Sequence, residues 1–302
     1  NTGAYMKKIF SFIFLLIASF SVAFGNADDS LENRINSIIS GKKAFVGVAV
    51  SGIENNFSFS INGKKNFPMM SVYKFHIALA VLNKVDGGSL KLEEKILLKK
   101  KDLHPGTWSP LRDKYPNGGV SIPLSEIIEY AITQSDNNGC DILIALAGGT
   151  EAVKKFIESK GVKDFDIKAT EKQCHESWNV QYSNWSTPVS AAALLKKFYD
   201  RKIVSSLSTE YLMNVMIRTS TGDKRMKGLI PPSADVAHKT GTSGTQNGIT
   251  PGTNDIGIVR LPNGKHFAIA VFVSDSRENN AVNERIIAEI SKAVWDYFVM
   301  MN

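Results

Sequence analysis

The chain has 302 residues, 43% of them hydrophobic and 22% charged, which supports one large domain or two modest ones with a real core and excludes a disordered or fibrous chain. Its formal charge of +7 is carried by single lysines and short clusters such as Lys99-Lys100-Lys101, without aromatic interleaving or an arginine-rich arm. A solvated surface accounts for that excess, and nucleic acid is not an expected partner. Cys140 and Cys174 are too few for a disulfide scaffold; they either pair or lie as buried thiols, and the apolar run after Cys140 slightly favours the second.

Met6 is followed by Lys7 and Lys8, an apolar run from Ile9 to Phe24 and the small residues Gly25-Asn26-Ala27. This is the pattern of a cleaved secretory leader, so residues 1–27 are expected to be removed near Gly25 or Ala27. A retained anchor is the alternative, but the run is short, contains serines and meets Asp28-Asp29 at once. Asn1 to Tyr5 precede the methionine and are not expected in the native product. No later stretch is long enough to span a bilayer, so no stable membrane association is expected after cleavage.

In the mature chain, Leu31, Ile35, Ile38 and Ile39 recur at helical spacing over Ser30 to Ile39. Ala44 to Val50 and Asn56 to Ile61 read as strands. Phe67 to Lys74 reads as an exposed turn entering a helix that is apolar nearly all round and ends near Asp86 before Gly87-Gly88, hence a buried helix. From there to Met216 only helices are predicted, at Leu124 to Gln134, Asp141 to Ala147, Thr150 to Lys160, Pro188 to Tyr199 and Thr209 to Met216. The polar segment from Asp166 to Thr187 reads as a long, functional loop. Strand patterns return at Val236 to Thr242, Ile256 to Leu261 and Phe267 to Val273, and an amphipathic helix closes the chain from Val282 to Phe298. The expected fold is therefore α/β: a five-stranded antiparallel sheet formed by both chain ends (28–67 and 217–302) with flanking helices, plus an inserted all-α domain (68–216).

Three short motifs carry chemistry. Ser71-Val72-Tyr73-Lys74 puts a hydroxyl and an amine on one helical face, with the serine near free backbone N–H groups that favour an anionic oxygen. A lysine buried there tends to lose its proton and act as a base. Ser40-Gly41-Lys42-Lys43 repeats the spacing at a helix end and reads as a surface turn. What distinguishes Ser71 is the ordered set: Ser135-Asp136-Asn137 follows in an interhelical loop and Lys239-Thr240-Gly241 on a strand, the signature of class A β-lactamases and penicillin-binding proteins. Ser71 Oγ would attack a carbonyl, and Ser135 would pass a proton to the departing nitrogen. Asn137 would hold the substrate side chain, and Lys239 with Thr240 would face a substrate carboxylate. Gly241 would let substrate lie against the strand. The backbone N–H groups of Ser71 and Thr242 would form the oxyanion hole, each donor worth about 3 kcal/mol.

On these motifs the mature chain resembles class A serine β-lactamases over essentially its whole length, most of all the PER/VEB-like extended-spectrum branch. The resemblance implies that Glu171, in Ala169-Thr170-Glu171-Lys172-Gln173-Cys174-His175, is the base for the deacylating water. It implies a secreted, periplasmic, monomeric hydrolase of penicillins and cephalosporins, with a site open to bulky cephalosporin side chains and with no cofactor or metal; the dispersed histidines carry no zinc-site spacing. Where most members have asparagine, His175 stands as a water-positioning candidate or a structural hydrogen-bonding group. Ala169 and Asn184 occupy the places of the usual loop-closing arginine and aspartate, so the loop must be held otherwise. Arg225 matches an alternative arginine that supports the carboxylate site, against an ordinary surface arginine, and Trp108 matches a cleft-edge aromatic, against a core tryptophan. Met70 and Ser243 stand where some members carry a disulfide. Either Lys74 or Glu171 could take the Ser71 proton. A D-alanyl-D-alanine peptidase, trapped as a long-lived acyl-enzyme, and a non-hydrolysing penicillin sensor share the three motifs and remain the alternatives.

Overall fold

The structure, a computed structural model, describes residues 27–301; the expected leader lies outside these residues save for Ala27. Among them no helix is long and apolar enough to cross a membrane. In chain order the elements are α1 (Ala27–Ile39), β1 (Phe45–Gly52), β2 (Ser58–Ile61), β3 (Phe67–Pro68), α2 (Tyr73–Asp86), β4 (Lys95–Leu98), α3 (Pro110–Lys114), β5 (Val120–Pro123), α4 (Leu124–Thr133) and α5 (Asn137–Ala147). They continue with α6 (Thr150–Ser159), β6 (Phe165–Asp166), α7 (Glu171–Glu176), β7 (Trp185–Ser186), α8 (Pro188–Tyr199), α9 (Ser206–Ile217), β8 (Val236–Thr242), β9 (Thr250–Arg260), β10 (His266–Ser276) and α10 (Asn280–Met301).

Both chain ends contribute to one five-stranded antiparallel sheet of order β2-β1-β10-β9-β8. Its strands alternate between two cores, as a period of two requires. On β10, Phe267, Ile269, Val271 and Val273 join α1 and α10 in one core, whereas Ala268, Ala270 and Phe272 face the helical block in the other. At the centre of that block, α2 is buried without interruption from Tyr73 to Leu82, packed by α4, α5, α6 and α9. A helix with no solvated face can only sit where neighbours surround it.

Several expectations are corrected here. The block between Gly87 and Met216 is not purely helical: β4 pairs with β5, and β6 and β7 form a small sheet with β3, which precedes the block. These strands are two or four residues long, too short to show a periodic pattern. Within the same interval, α8 packs against β1 and β10 of the large sheet. β9 begins at Thr250 rather than Ile256; its first residues include Thr250, Thr253, Asn254 and Asp255, polar yet buried, which a hydrophobic pattern does not reveal. α5 begins at Asn137, where Asp136 caps it by accepting from Gly139 N at 2.7 Å. α9 begins at Ser206 with Ser205 as its cap, itself held by Asp86. The turn before Ser71 is not exposed: Phe67 to Met70 are buried, wedged between sheet and helices.

Gly47 makes that wedge possible. A Cβ at this position would lie 2.3 Å from the Phe67 ring and 2.8 Å from Pro188 Cγ, so the backbone of β1 is the floor on which β3 and α8 rest. Gly47→Ala is expected to destabilise the fold by about 1–3 kcal/mol through overpacking, read as a fall in the melting temperature; an unchanged melting temperature would refute the close approach.

Candidate active site

The cleft, of about 650 Å³, opens between the helical block and β8 and is lined by Ser71, Ser135, Asn137, Glu171, Trp108 and Thr242 among others. Ser71 sits in a single 3₁₀ turn, Met70–Val72, directly ahead of α2, and the turn is forced. Met70 adopts φ 49°, a left-handed conformation rare outside glycine. Asn254 Nδ2 donates to Pro68 O at 2.8 Å and Met69 O at 3.1 Å, while Met69 N donates to Asn184 O at 2.8 Å. β8 abuts this turn so closely that a Cβ on Gly241 would fall 2.4 Å from Met69 O. Gly241 is thus required by the protein's own backbone.

Lys74 is fully buried. Its Nζ lies 2.7 Å from Ser71 Oγ, 2.6 Å from Asn137 Oδ1, 3.1 Å from Ser135 O and 2.6 Å from Glu171 Oε1. Burial alone would lower its pKa, but the Glu171 carboxylate, aided by other negative groups nearby, outweighs burial and the net shift is upward. The buried lysine therefore does not lose its proton in the resting site, contrary to the sequence-based expectation, because its burial comes with a carboxylate. Lys239 behaves in the opposite way. It too is buried, donating to Ser135 Oγ at 2.9 Å and Thr240 O at 2.8 Å; burial and then repulsion from Lys74 hold it well below the usual lysine range. It reaches the cleft through Ser135, whose own φ is 58°, not by facing it directly.

Asn137 spends its amide on the protein: Oδ1 accepts from Lys74, and Nδ2 donates to Thr107 Oγ1 at 2.6 Å. Asp136, the middle residue of its motif, is buried and accepts from Ser109 Oγ at 2.9 Å and Leu111 N at 2.7 Å as well as capping α5. It fixes the loop that aims Ser135 and Asn137. Trp108 is 61% exposed, its Nε1 donating to Gln134 O at 2.9 Å, which places it on the cleft rim and excludes the core alternative. Arg225 is no surface arginine. It is buried beneath β8, with Nη1 donating to Gly241 O at 3.0 Å and Nη2 to Thr242 Oγ1 at 2.8 Å, and it pairs with Glu284 at 3.3 Å. Thr221, whose hydroxyl meets that of Thr240 at 2.6 Å, also lines the cleft and carried no sequence signal.

The loop bearing Glu171 is held without a charged closing pair. Asn184 Oδ1 accepts from Lys168 N at 2.8 Å and Ala169 N at 2.9 Å, and Nδ2 donates to Ala169 O at 2.9 Å. One neutral, buried amide thus satisfies three backbone groups of the loop's first arm. A capping box of Thr170 and Gln173 starts α7. Asp141, reaching across from α5, accepts from Glu171 N at 2.7 Å and Lys172 N at 2.9 Å. Tyr182 Oη ties the far arm to Asp275 at 2.7 Å. Sequence reasoning missed Asp141 and the function of Asn184, since neither belongs to a motif. His175 is exposed and lines the cleft, its ring against Gly106 of the rim. Both cysteines are free. Burial pushes the Cys140 thiol well up and, with Glu171 nearby, the Cys174 thiol to about 12, so neither is a nucleophile at neutral pH.

Fold and site together define a serine acyl-transfer enzyme of the penicillin-interacting kind. The β-lactamase enzyme family matches residues 30–298; the chain belongs to that family and is a class A serine β-lactamase. It is 43% identical to β-lactamase VEB-1 of Pseudomonas aeruginosa over 97% of this chain and 99% of the relative. It is 40% identical to extended-spectrum β-lactamase PER-1 of the same organism, over 97% and 95% respectively. The crystal structure of the TLA-3 extended-spectrum β-lactamase superposes with a TM-score of 0.89 at 58% identity, covering 90% of this chain and 99% of that one.

Burial, followed by the repulsion of Glu171, raises Asp141 to about 6 against the hydrogen bonds that hold it down. Above that pH it is an acceptor-only carboxylate serving both N–H groups; as pH falls through about 6 it gains a proton and one acceptor is weakened. Turnover is expected to decline on the acid side with an apparent pKa near 6, and Asp141→Asn, which retains one acceptor at all pH, is expected to flatten that limb at a lower plateau. An unaltered pH profile in the variant would exclude this role.

Proposed function

We propose that the enzyme hydrolyses β-lactams by forming an acyl-enzyme on Ser71 and releasing it with a water activated by Glu171. One observation carries this reading: a single buried ammonium, Lys74, stands 2.7 Å from Ser71 Oγ and 2.6 Å from Glu171 Oε1, joining the nucleophile to the carboxylate. Because Lys74 is charged at rest, the first proton acceptor is Glu171, directly through water or by taking the Lys74 proton so that the neutral amine can deprotonate Ser71. The tetrahedral oxygen is received by the backbone N–H groups of Ser71 and Thr242. Ser135 Oγ delivers the proton to the departing ring nitrogen, and Lys239, 2.9 Å away, resupplies it.

A substrate carboxylate meets the hydroxyls of Ser135, Thr240 and Thr242. Behind them Arg225 polarises Thr242, and Lys239, kept below its usual pKa when the site is empty, regains its charge beside an anion. The names of PER-1 and the TLA enzymes favour extended-spectrum cephalosporins as substrates, and a loop closed by an amide rather than an ion pair suits bulky side chains. We also read the enzyme as periplasmic after leader cleavage, monomeric, without cofactor and without nucleic-acid or membrane partners.

The test is turnover of a chromogenic cephalosporin with the protein's mass followed in parallel. Multiple turnovers are expected; one stoichiometric burst with a persistent adduct would instead indicate a peptidase or a sensor. Glu171→Gln is expected to lower steady-state turnover roughly 10²–10⁴-fold, the typical contribution of a general base, while the Ser71 adduct accumulates. Wild-type turnover in this variant would reject the assigned base.

A further inference from the structure

Two histidines that neither the fold nor the hydrolytic chemistry accounts for meet at the cleft mouth. His175 projects from α7, and the position a Cβ would take on Gly106 lies 2.8 Å from its Nε2. His104 precedes Gly106 on the opposite rim, with its ring centre 6.3 Å from that of His175 and the planes at 66°. His104 Nδ1 is buried with no hydrogen-bond partner among the described residues, an uncommon state for a ring nitrogen. Both rings stand on braced supports. His104 N donates to Asn138 Oδ1 at 2.9 Å, and Arg112 Nη1 donates to His104 O at 2.9 Å, Pro105 O at 3.0 Å and Thr107 O at 2.7 Å. α7 is pinned by Asp141 and by its capping box.

We propose that His104 and His175 form a two-ligand site for a divalent transition-metal ion of the zinc class, bridging α7 to the rim across the cleft mouth. Imidazole nitrogen suits Zn²⁺, Cu²⁺ and Ni²⁺. At Zn–N distances of about 2.0–2.1 Å and a tetrahedral angle, an ion between two imidazoles sets their ring centres roughly 5 Å apart, about 1 Å closer than they stand here, a shift that side-chain rotation of the exposed His175 supplies without backbone movement. No group of three or more metal-ligating side chains occurs among the described residues, so water completes the coordination. The bridged ion takes no part in hydrolysis. It fastens the helix that begins at Glu171 to the rim that carries Trp108, and so obstructs entry of the substrate. The two ligands are far apart in the chain, which is why their pairing is invisible to ligand spacing.

Binding can be read without reference to the acylation scheme. Metal-stripped protein at pH 7.5 is titrated with ZnCl₂ alone by calorimetry and thermal unfolding, alongside turnover of a chromogenic cephalosporin. One ion per chain, a raised melting temperature and slower turnover reversed by chelator are expected. His104→Ala and His175→Ala are each expected to weaken Zn²⁺ binding roughly a hundredfold, the loss of the intramolecular second contact. His175→Gln, at an exposed position, serves as a second variant should one fail to fold. Absence of binding by the wild type, or undiminished binding in a folded variant of either histidine, overturns the site.

Discussion

The ammonium of Lys74 is the interaction on which the rest of the structure depends. A lysine with no exposure in a hydrophobic helix is costly unless its charge is matched and its hydrogens are placed. Four oxygens from four segments do this: Ser71 from the nucleophile turn, Ser135 and Asn137 from the interhelical loop and its helix, and Glu171 from the long loop. Each oxygen must be brought in by its own segment, so satisfying one buried charge assembles the site. The same contacts, the Glu171 carboxylate above all, hold the lysine's pKa above its ordinary value despite its burial.

A second cation makes the contrast instructive. Lys239 is as buried as Lys74 but faces hydroxyl and carbonyl oxygens rather than a carboxylate, and Lys74 repels it. Two lysines in one site are thereby driven in opposite directions, the pKa of one raised and that of the other lowered. Environment, not residue type, separates the roles. The loop shows a comparable substitution of means: Asn184 closes by hydrogen bonds what an ion pair would otherwise close, and the buried amide leaves no charge to be desolvated.

Much of this was legible in the residues. The sheet strands Val236 to Thr242 and Phe267 to Val273 and the buried character of the Tyr73–Leu82 helix follow from period and composition, which report burial directly. Ser71, Lys74, Ser135, Asn137, Glu171 and Lys239 came from short motifs and one resemblance, and all but Lys239 surround one cleft or its buried ammonium. The two- to four-residue strands were not legible, nor was the polar beginning of β9, because buried polar backbone and short pairing leave no hydrophobic signature. Trp108 and Arg225 each had two readings that only their exposure separates.

By itself the sequence determined which groups can react: two hydroxyls, two amines and a carboxylate, with the apolar stretches needed to bury them. Tertiary structure alone decided their protonation, their partners and their reach. Asp141 and Asn184, outside any motif, hold Glu171 in place; Gly241 serves the nucleophile turn; Lys239 acts from behind Ser135; His104 and His175 face one another only across the folded cleft. The reason is physical: a side chain's chemistry is local to its atoms, whereas its pKa and its contacts depend on distances of a few ångströms between segments far apart in the chain.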